Sequence, residues 1–279
     1  MKKGMVALFL LMATVLAQKP TVVVTIEPYR LLLQELVGDR MQVTALVPPS
    51  ANPHIYEPTP SQVKEVAQAR LVVANGAGLD KWVVDKLVRP NNLSVSVFQA
   101  ADVVAASLIP TPTGPDPHIW VDPGLMARVV PSLAEALAKA DPAGKALYQA
   151  RAQRLEKALL DLDKEVANRL KVRTKPGVIA LRNPFRYFTL RYQIPILYVV
   201  VPNPEAPEAT AKAVAEARKL AQEKGIRYLL APLPTKTQAE PLARNMGLEV
   251  VLVDALGEEA TSYRDLVLNM AQAFAQALR

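Results

Sequence analysis

Short runs of β-branched and aliphatic residues alternate along this chain with stretches whose apolar positions recur every three or four residues. Thr21–Ile26, Gln42–Val47, Leu71–Ala74 and Val95–Phe98 read as strands. Between them, Tyr29–Val37, Ser61–Ala69 and Leu79–Leu87 carry the helical period. The second half repeats the scheme, with strands at Val178–Leu181, Ile196–Val201, Tyr228–Ala231 and Glu249–Val253. Its helices are predicted near Phe185–Arg191 and over Pro207–Glu223, Thr237–Met246 and Ser262–Leu278. Strands that are apolar on both faces and separated by amphipathic helices imply βαβ units and mostly parallel sheets.

One stretch breaks the alternation. From Lys145 to Val172, Tyr148, Ala152, Leu155, Leu159, Leu162, Val166 and Leu170 form a single apolar stripe with charges between them. No proline or glycine interrupts it, so it predicts one helix of roughly 40 Å, the length of a whole domain. The expected architecture is α/β, with two similar lobes joined by this one long rigid helix. Each lobe is a mostly parallel four-stranded sheet with flanking helices. The boundaries fall at 18–144 for the first lobe, 145–172 for the linking helix and 173–279 for the second lobe. A rigid connection of this kind predicts small lobe motion.

Composition narrows the function classes. The net charge of +7 invites a nucleic-acid reading. However, the basic residues are spread along helices and few aromatics interleave with them, so a stacking platform for bases is not indicated. At the N-terminus, Lys2 and Lys3 precede an apolar run from Met5 to Leu16, followed by Ala17. That order matches a secretory signal, residues 1–17, cleaved near Ala17, and the run is too short to span a bilayer as a helix. The sequence has no cysteine, hence no disulfide and no lipidated Cys. The expected location is a periplasm, with the protein untethered.

Candidate chemistry concentrates in few places. The only two histidines, His54 and His118, lie in proline-flanked loops, Asn52–Pro58 and Asp116–Pro123. Arg182 and Asn183 follow the strand Val178–Leu181, and Asp254 follows Glu249–Val253. All are expected at carboxyl ends of strands, two positions from each lobe, on the edge where open α/β sheets bind ligands. Two imidazoles and a carboxylate form a donor set suited to zinc, manganese or iron. Taken singly, each has a plainer reading: a loop histidine serves surface or core hydrogen bonding, and Asp254 caps the turn before the last helix.

Taken together, these segments resemble the metal-binding solute-binding proteins of zinc and manganese ABC importers, the TroA-like family that includes the ZnuA and PsaA types. The resemblance spans essentially the whole mature chain. It rests on Pro53–Gln62 (PHIYEPTPSQ), Asn75–Asp80 (NGAGLD), Asp116–Pro123 (DPHIWVDP), the aromatics Phe185, Tyr187, Phe188 and Tyr192, and Asp254–Gly257 (DALG). It implies two small lobes bridged by a long helix, and a divalent transition metal, zinc or manganese, as transported ligand. It also implies a membrane permease as partner and a monomer with no catalytic role. On this resemblance His54 and His118 fall on the ligands of the first lobe and Asp254 on the carboxylate ligand of the second.

The same resemblance exposes four departures. The third ligand position, a His in zinc binders and a Glu in many manganese binders, is Arg182 here. The acidic position after it is Asn183, and a glutamate often seen after the next-to-last strand falls on Pro232. The His-rich loop of many zinc members is also missing, since Ser107–Pro115 holds no histidine. A guanidinium has no lone pair to donate. At about 5 Å from a divalent ion, with an effective dielectric of about 20, it would be repelled by roughly 6–7 kcal/mol. Three arrangements remain: Arg182 turned to solvent with water completing the shell, Arg182 holding an anion or chelator, or Arg182 paired with Asp254 in place of a metal. The rival functions are a binding protein for a metal chelate or small anion held by Arg182, a hydrolase using the His/His/Asp site with Glu57 as base, and an envelope protein with a decayed pocket.

Overall fold

A computed structural model describes residues 19–91, 93–203 and 208–279; the expected signal segment 1–17 lies outside them. In chain order the first half contains β1 (Thr21–Ile26), α1 (Glu27–Val37), β2 (Gln42–Val47), α2 (Pro60–Gln68), β3 (Leu71–Ala74), β4 (Ser96–Gln99) and α3 (Ala100–Val103). A small antiparallel hairpin, β5 (Pro110–Thr111) and β6 (Gly114–Pro115), precedes α4 (Pro123–Ala140). Then comes α5 (Lys145–Arg169), the long helix. The second half contains β7 (Val178–Ala180), α6 (Arg186–Arg191), β8 (Ile196–Val199), α7 (Ala211–Lys224), β9 (Tyr228–Pro232), α8 (Lys236–Met246), β10 (Glu249–Val253) and α9 (Tyr263–Ala277).

The two four-stranded sheets are parallel throughout and share one topology. The first has the order β2-β1-β3-β4 and the second β10-β9-β7-β8. In each, the chain adds its second strand on one side of the first, then crosses to the other side. This order sets a switch point in each sheet, the kind of place at which open α/β sheets bind ligands. Strands buried on both faces, such as Val22–Val24 and Leu71–Val73, explain the unbroken aliphatic runs.

Two elements differ from expectation. Leu79–Leu87 does not form a regular α-helix: Val83–Val88 is π-helical, with Arg89 N–H donating to Val84 O at 2.9 Å. Helix α4, unpredicted, carries prolines at Pro123 and Pro131 that mask its period. Pro123 sits in the first turn, where no N–H is needed, and Asp122 caps the helix by accepting from Gly124 N (2.7 Å) and Leu125 N (3.1 Å). The linking helix ends at Arg169, three positions short of Val172. Helix α7 is described from Ala211, capped by Thr210, whereas the expected start, Pro207, lies outside the described residues.

The core explains how the halves hold together. One continuous apolar cluster contains Val22–Val24 of β1, Leu32 and Leu36 of α1, and Leu133 and Leu137 of α4. It also takes in Leu155, Leu159 and Leu162 of α5, and Met270 and Phe274 of α9. A second cluster, around Ile179, Leu229 and Ala243, lies inside the second sheet layer. The last helix of the chain therefore shares its core with the first lobe and the long helix.

Candidate functional site

His54 is set by its local chain. Asn52 caps a 3-10 turn, Pro53–Ile55, its side chain accepting from His54 N at 3.0 Å. Downstream, Thr59 and Gln62 form a reciprocal capping box for α2. The Gln62 amide also donates to Leu46 O at 2.7 Å, tying the loop to the end of β2. Glu57 is exposed and paired with Lys86 at 2.5 Å. A hydrolytic base at that position has no support.

His118 is held more tightly. Asp116 Oδ1 accepts from both the backbone N–H of His118 (3.0 Å) and its ring Nδ1 (2.8 Å). The buried Asn75 side chain, at the end of β3, donates to Pro117 O at 2.9 Å. From the second lobe, the Tyr187 hydroxyl donates to Asp116 O (2.8 Å) and accepts from Ile109 N (3.0 Å), while Arg186 Nη1 lies 4.0 Å from Asp116 Oδ2. Burial alone would raise the Asp116 carboxyl. The hydrogen bonds from His118, with the charges of His118 and Arg186, outweigh it and hold the group below its usual range.

These two loops meet. His54 Nε2 lies 3.2 Å from His118 Nε2, with ring centroids 5.2 Å apart. Burial and the neighbouring His118 push His54 down to about 4, against an opposing pull from Asp116. At neutral pH its ring is uncharged, the form that donates a lone pair.

Asp254 stands at the end of β10 and is 7% exposed. Its Oδ1 accepts from Leu256 N (3.1 Å) and Gly257 N (2.7 Å), and its Oδ2 from Glu259 N (2.9 Å). The turn this organises needs glycine, because Gly257 has φ +81° and a Cβ there would meet Leu31 at 3.1 Å. The turn is fastened to the His118 loop: Trp120 Nε1 donates to Ala255 O and the Tyr263 hydroxyl to Trp120 O, both at 2.7 Å. The carboxylate is thus engaged by three backbone amides. Among the described residues no trio of His, Cys, Asp or Glu is arranged as a ready metal cage.

Arg182, just past β7, donates from Nη1 to Asn203 O at 3.2 Å, and burial lowers its guanidinium from the usual value. Asn183 Oδ1 accepts from Phe185 N at 3.3 Å and serves the local turn before α6. Pro232 is the last residue of β9. Sequence reasoning identified the two histidines that converge but gave no role to Asp116, Asn75 or Tyr187. The Asp-x-His spacing was the available signal for Asp116, since it lets a carboxylate reach the ring two positions on.

Comparison with known proteins finds relatives along most of the chain. Residues 22–277 match the family model described as zinc-uptake complex component A, periplasmic. A Thermotoga maritima protein named for metal binding is 32% identical over 198 residues, 71% of this chain and 70% of that protein. The manganese-binding lipoprotein MntA of Halalkalibacterium halodurans is 26% identical over 258 residues, covering 88% of this chain and 84% of its own. A crystal structure of ZnuA superimposes with a TM-score of 0.84 at 25% identity, over 94% of this chain and 100% of that one.

Proposed function

The chain belongs to the family of the periplasmic component A of zinc-uptake complexes, and from that premise we propose that it captures a divalent transition metal, zinc or manganese, for an ABC importer. It is a binding protein and not an enzyme. The observation that carries the reading is the 3.2 Å separation of the two Nε2 atoms. Two imidazoles bound to one tetrahedral zinc at about 2.0–2.1 Å stand about 3.3 Å apart, so the pair already has the bite of a chelate. His54 and His118 are the nitrogen donors of the first lobe. Asp254 supplies a carboxylate from the second, using lone pairs left over from its three amide contacts.

Arg182 replaces the third side-chain donor with a positive charge, so water or a small anion completes the shell. The protein works as a monomer, delivering its cargo to a membrane permease. Cleavage of the leader at Ala17 and work in the periplasm are part of the proposal. N-terminal sequencing of envelope protein reads that cleavage directly.

Calorimetric titration with zinc and with manganese tests the site. His54→Ala and His118→Ala should each lower affinity at least tenfold, because loss of one ligand leaves the others poorly oriented. Glu57→Ala, altering an exposed ion pair, should leave it unchanged. Unchanged affinity in both histidine variants would mean that the loops are structural.

A further inference from the structure

The segment that carries His118 runs from Asp116 to Asp122, the cap of α4. In the chain it belongs to the first half, yet both of its ends touch one short helix of the second. Helix α6 spans Arg186–Arg191, and residues four apart on a helix lie on one face. Tyr187 and Arg191 are such a pair. The Tyr187 hydroxyl donates to Asp116 O at 2.8 Å and accepts from Ile109 N at 3.0 Å. One turn on, Arg191 Nε lies 3.4 Å from Asp122 Oδ1. Arg191 is itself fixed by the long helix, donating from Nε and Nη2 to the two carboxylate oxygens of Asp163 at 2.5 and 2.6 Å. This fork-on-carboxylate geometry fixes direction as well as distance. The Tyr192 hydroxyl donates to the same carboxylate at 2.9 Å.

The first turn of α4 makes room for the arginine. A Cβ at Gly124 would stand 2.6–2.9 Å from the carbon and terminal nitrogens of the Arg191 guanidinium. The backbone does not call for glycine there, since Gly124 is not among the glycines with positive φ, and glycine is a poor helix former. The approach of Arg191 explains its presence.

We propose, on the metal-capture reading, that Tyr187 and Arg191 are positioning residues: through them α6 holds the His118 segment at both ends and sets where that ligand stands relative to His54. They act through the backbone and the cap of the segment. Between the ends, Asn75 of the first lobe donates to Pro117 O at 2.9 Å, and Trp120 Nε1 donates to Ala255 O at 2.7 Å. His118 is therefore placed by both lobes. His54 is fastened within the first, where Gln62 donates to Leu46 O at 2.7 Å and Glu57 pairs with Lys86 at 2.5 Å. The spacing of the two imidazoles thus depends on how α6 sits against Asp116 and Asp122.

Two variants test this without changing a charge. Tyr187→Phe removes one hydroxyl, and Gly124→Ala puts a Cβ where the Arg191 guanidinium stands. Amide hydrogen exchange read by mass spectrometry, with no metal added, should run about tenfold faster over residues 116–125 in each variant, with peptides of β1 and β9 unchanged. Zinc release to a chelator in stopped flow should also be about tenfold faster in each. The visible spectrum of the cobalt(II)-loaded variants should differ from the wild type's in band position and intensity, because it reports ligand geometry. A merely structural role would lower the Tm and leave zinc release and the cobalt spectrum as in the wild type. That result overturns the proposal, and so does unchanged exchange over 116–125 in both variants. A wild type that takes up neither zinc nor cobalt would overturn the metal-capture reading instead, while the exchange rates would still judge the hold of α6 on the segment.

Discussion

At the scale of single residues, the site is defined by what each side chain can and cannot donate. His54 and His118 were legible in the sequence because the chain has no other histidine and both lie in rigid proline-flanked loops. Their shared orientation was not legible: it depends on contacts such as Tyr187 to Asp116, which link positions 71 apart in sequence. Arg182 is the residue at which chemistry and family pattern disagree. Replacing it with histidine removes a positive charge just past β7 and adds a nitrogen donor. Arg182→His should raise zinc affinity about tenfold or more, a gain of about 1.4 kcal/mol. Screening and the freedom of a long side chain keep the gain below the full Coulomb repulsion. Titrations of both proteins with and without citrate separate the alternatives. If the arginine recruits an anion, the wild type binds zinc better in citrate and Arg182→His loses that advantage.

At the scale of elements, the parallel strands and the long helix follow directly from sequence, because strands covered on both faces show unbroken aliphatic runs and α5 shows one uninterrupted stripe. Helix α4 was obscured by Pro131 inside it. The π-helical turn was hidden because widening from i+4 to i+5 bonding barely changes an apolar pattern over six residues. The turn between α4 and α5 is clamped by Asp141, which accepts from Arg40 at the α1–β2 turn (Nη2 to Oδ1, 2.8 Å) and from the Tyr148 hydroxyl at 2.6 Å. The Arg40 hydrogen bonds, opposed by burial and assisted by Tyr148, hold Asp141 down to about 2. A carboxyl depressed on folding contributes stability that is complete above its unfolded value near 4 and is lost as pH falls through about 2. Asp141→Asn should therefore lower the Tm by a few degrees at pH 7. Its Tm should also fall less steeply than the wild type's between pH 5 and pH 2 in a thermal-denaturation series. Parallel Tm curves for the two proteins would show that the clamp contributes nothing.

At the scale of the whole molecule, the two lobes are not independent bodies. Helix α9 shares one core with β1, α1, α4 and α5, and the Trp120–Ala255 and Tyr263–Trp120 hydrogen bonds fasten the two site loops together. Scanning calorimetry should show one cooperative transition whose calorimetric and van't Hoff enthalpies agree, and metal should move it upward as a unit. Two resolved transitions would mean that the lobes melt separately. The proposal places a metal between the two imidazoles, which stand 3.2 Å apart at Nε2, with the Asp254 carboxylate as its donor from the second lobe. Diffraction from crystals grown with zinc, recorded on both sides of the zinc absorption edge, tests this most directly. The account predicts one anomalous peak at about 2.0–2.1 Å from Nε2 of both His54 and His118, with the Asp254 carboxylate on its opposite side. A peak elsewhere, or none between the two rings, would contradict it.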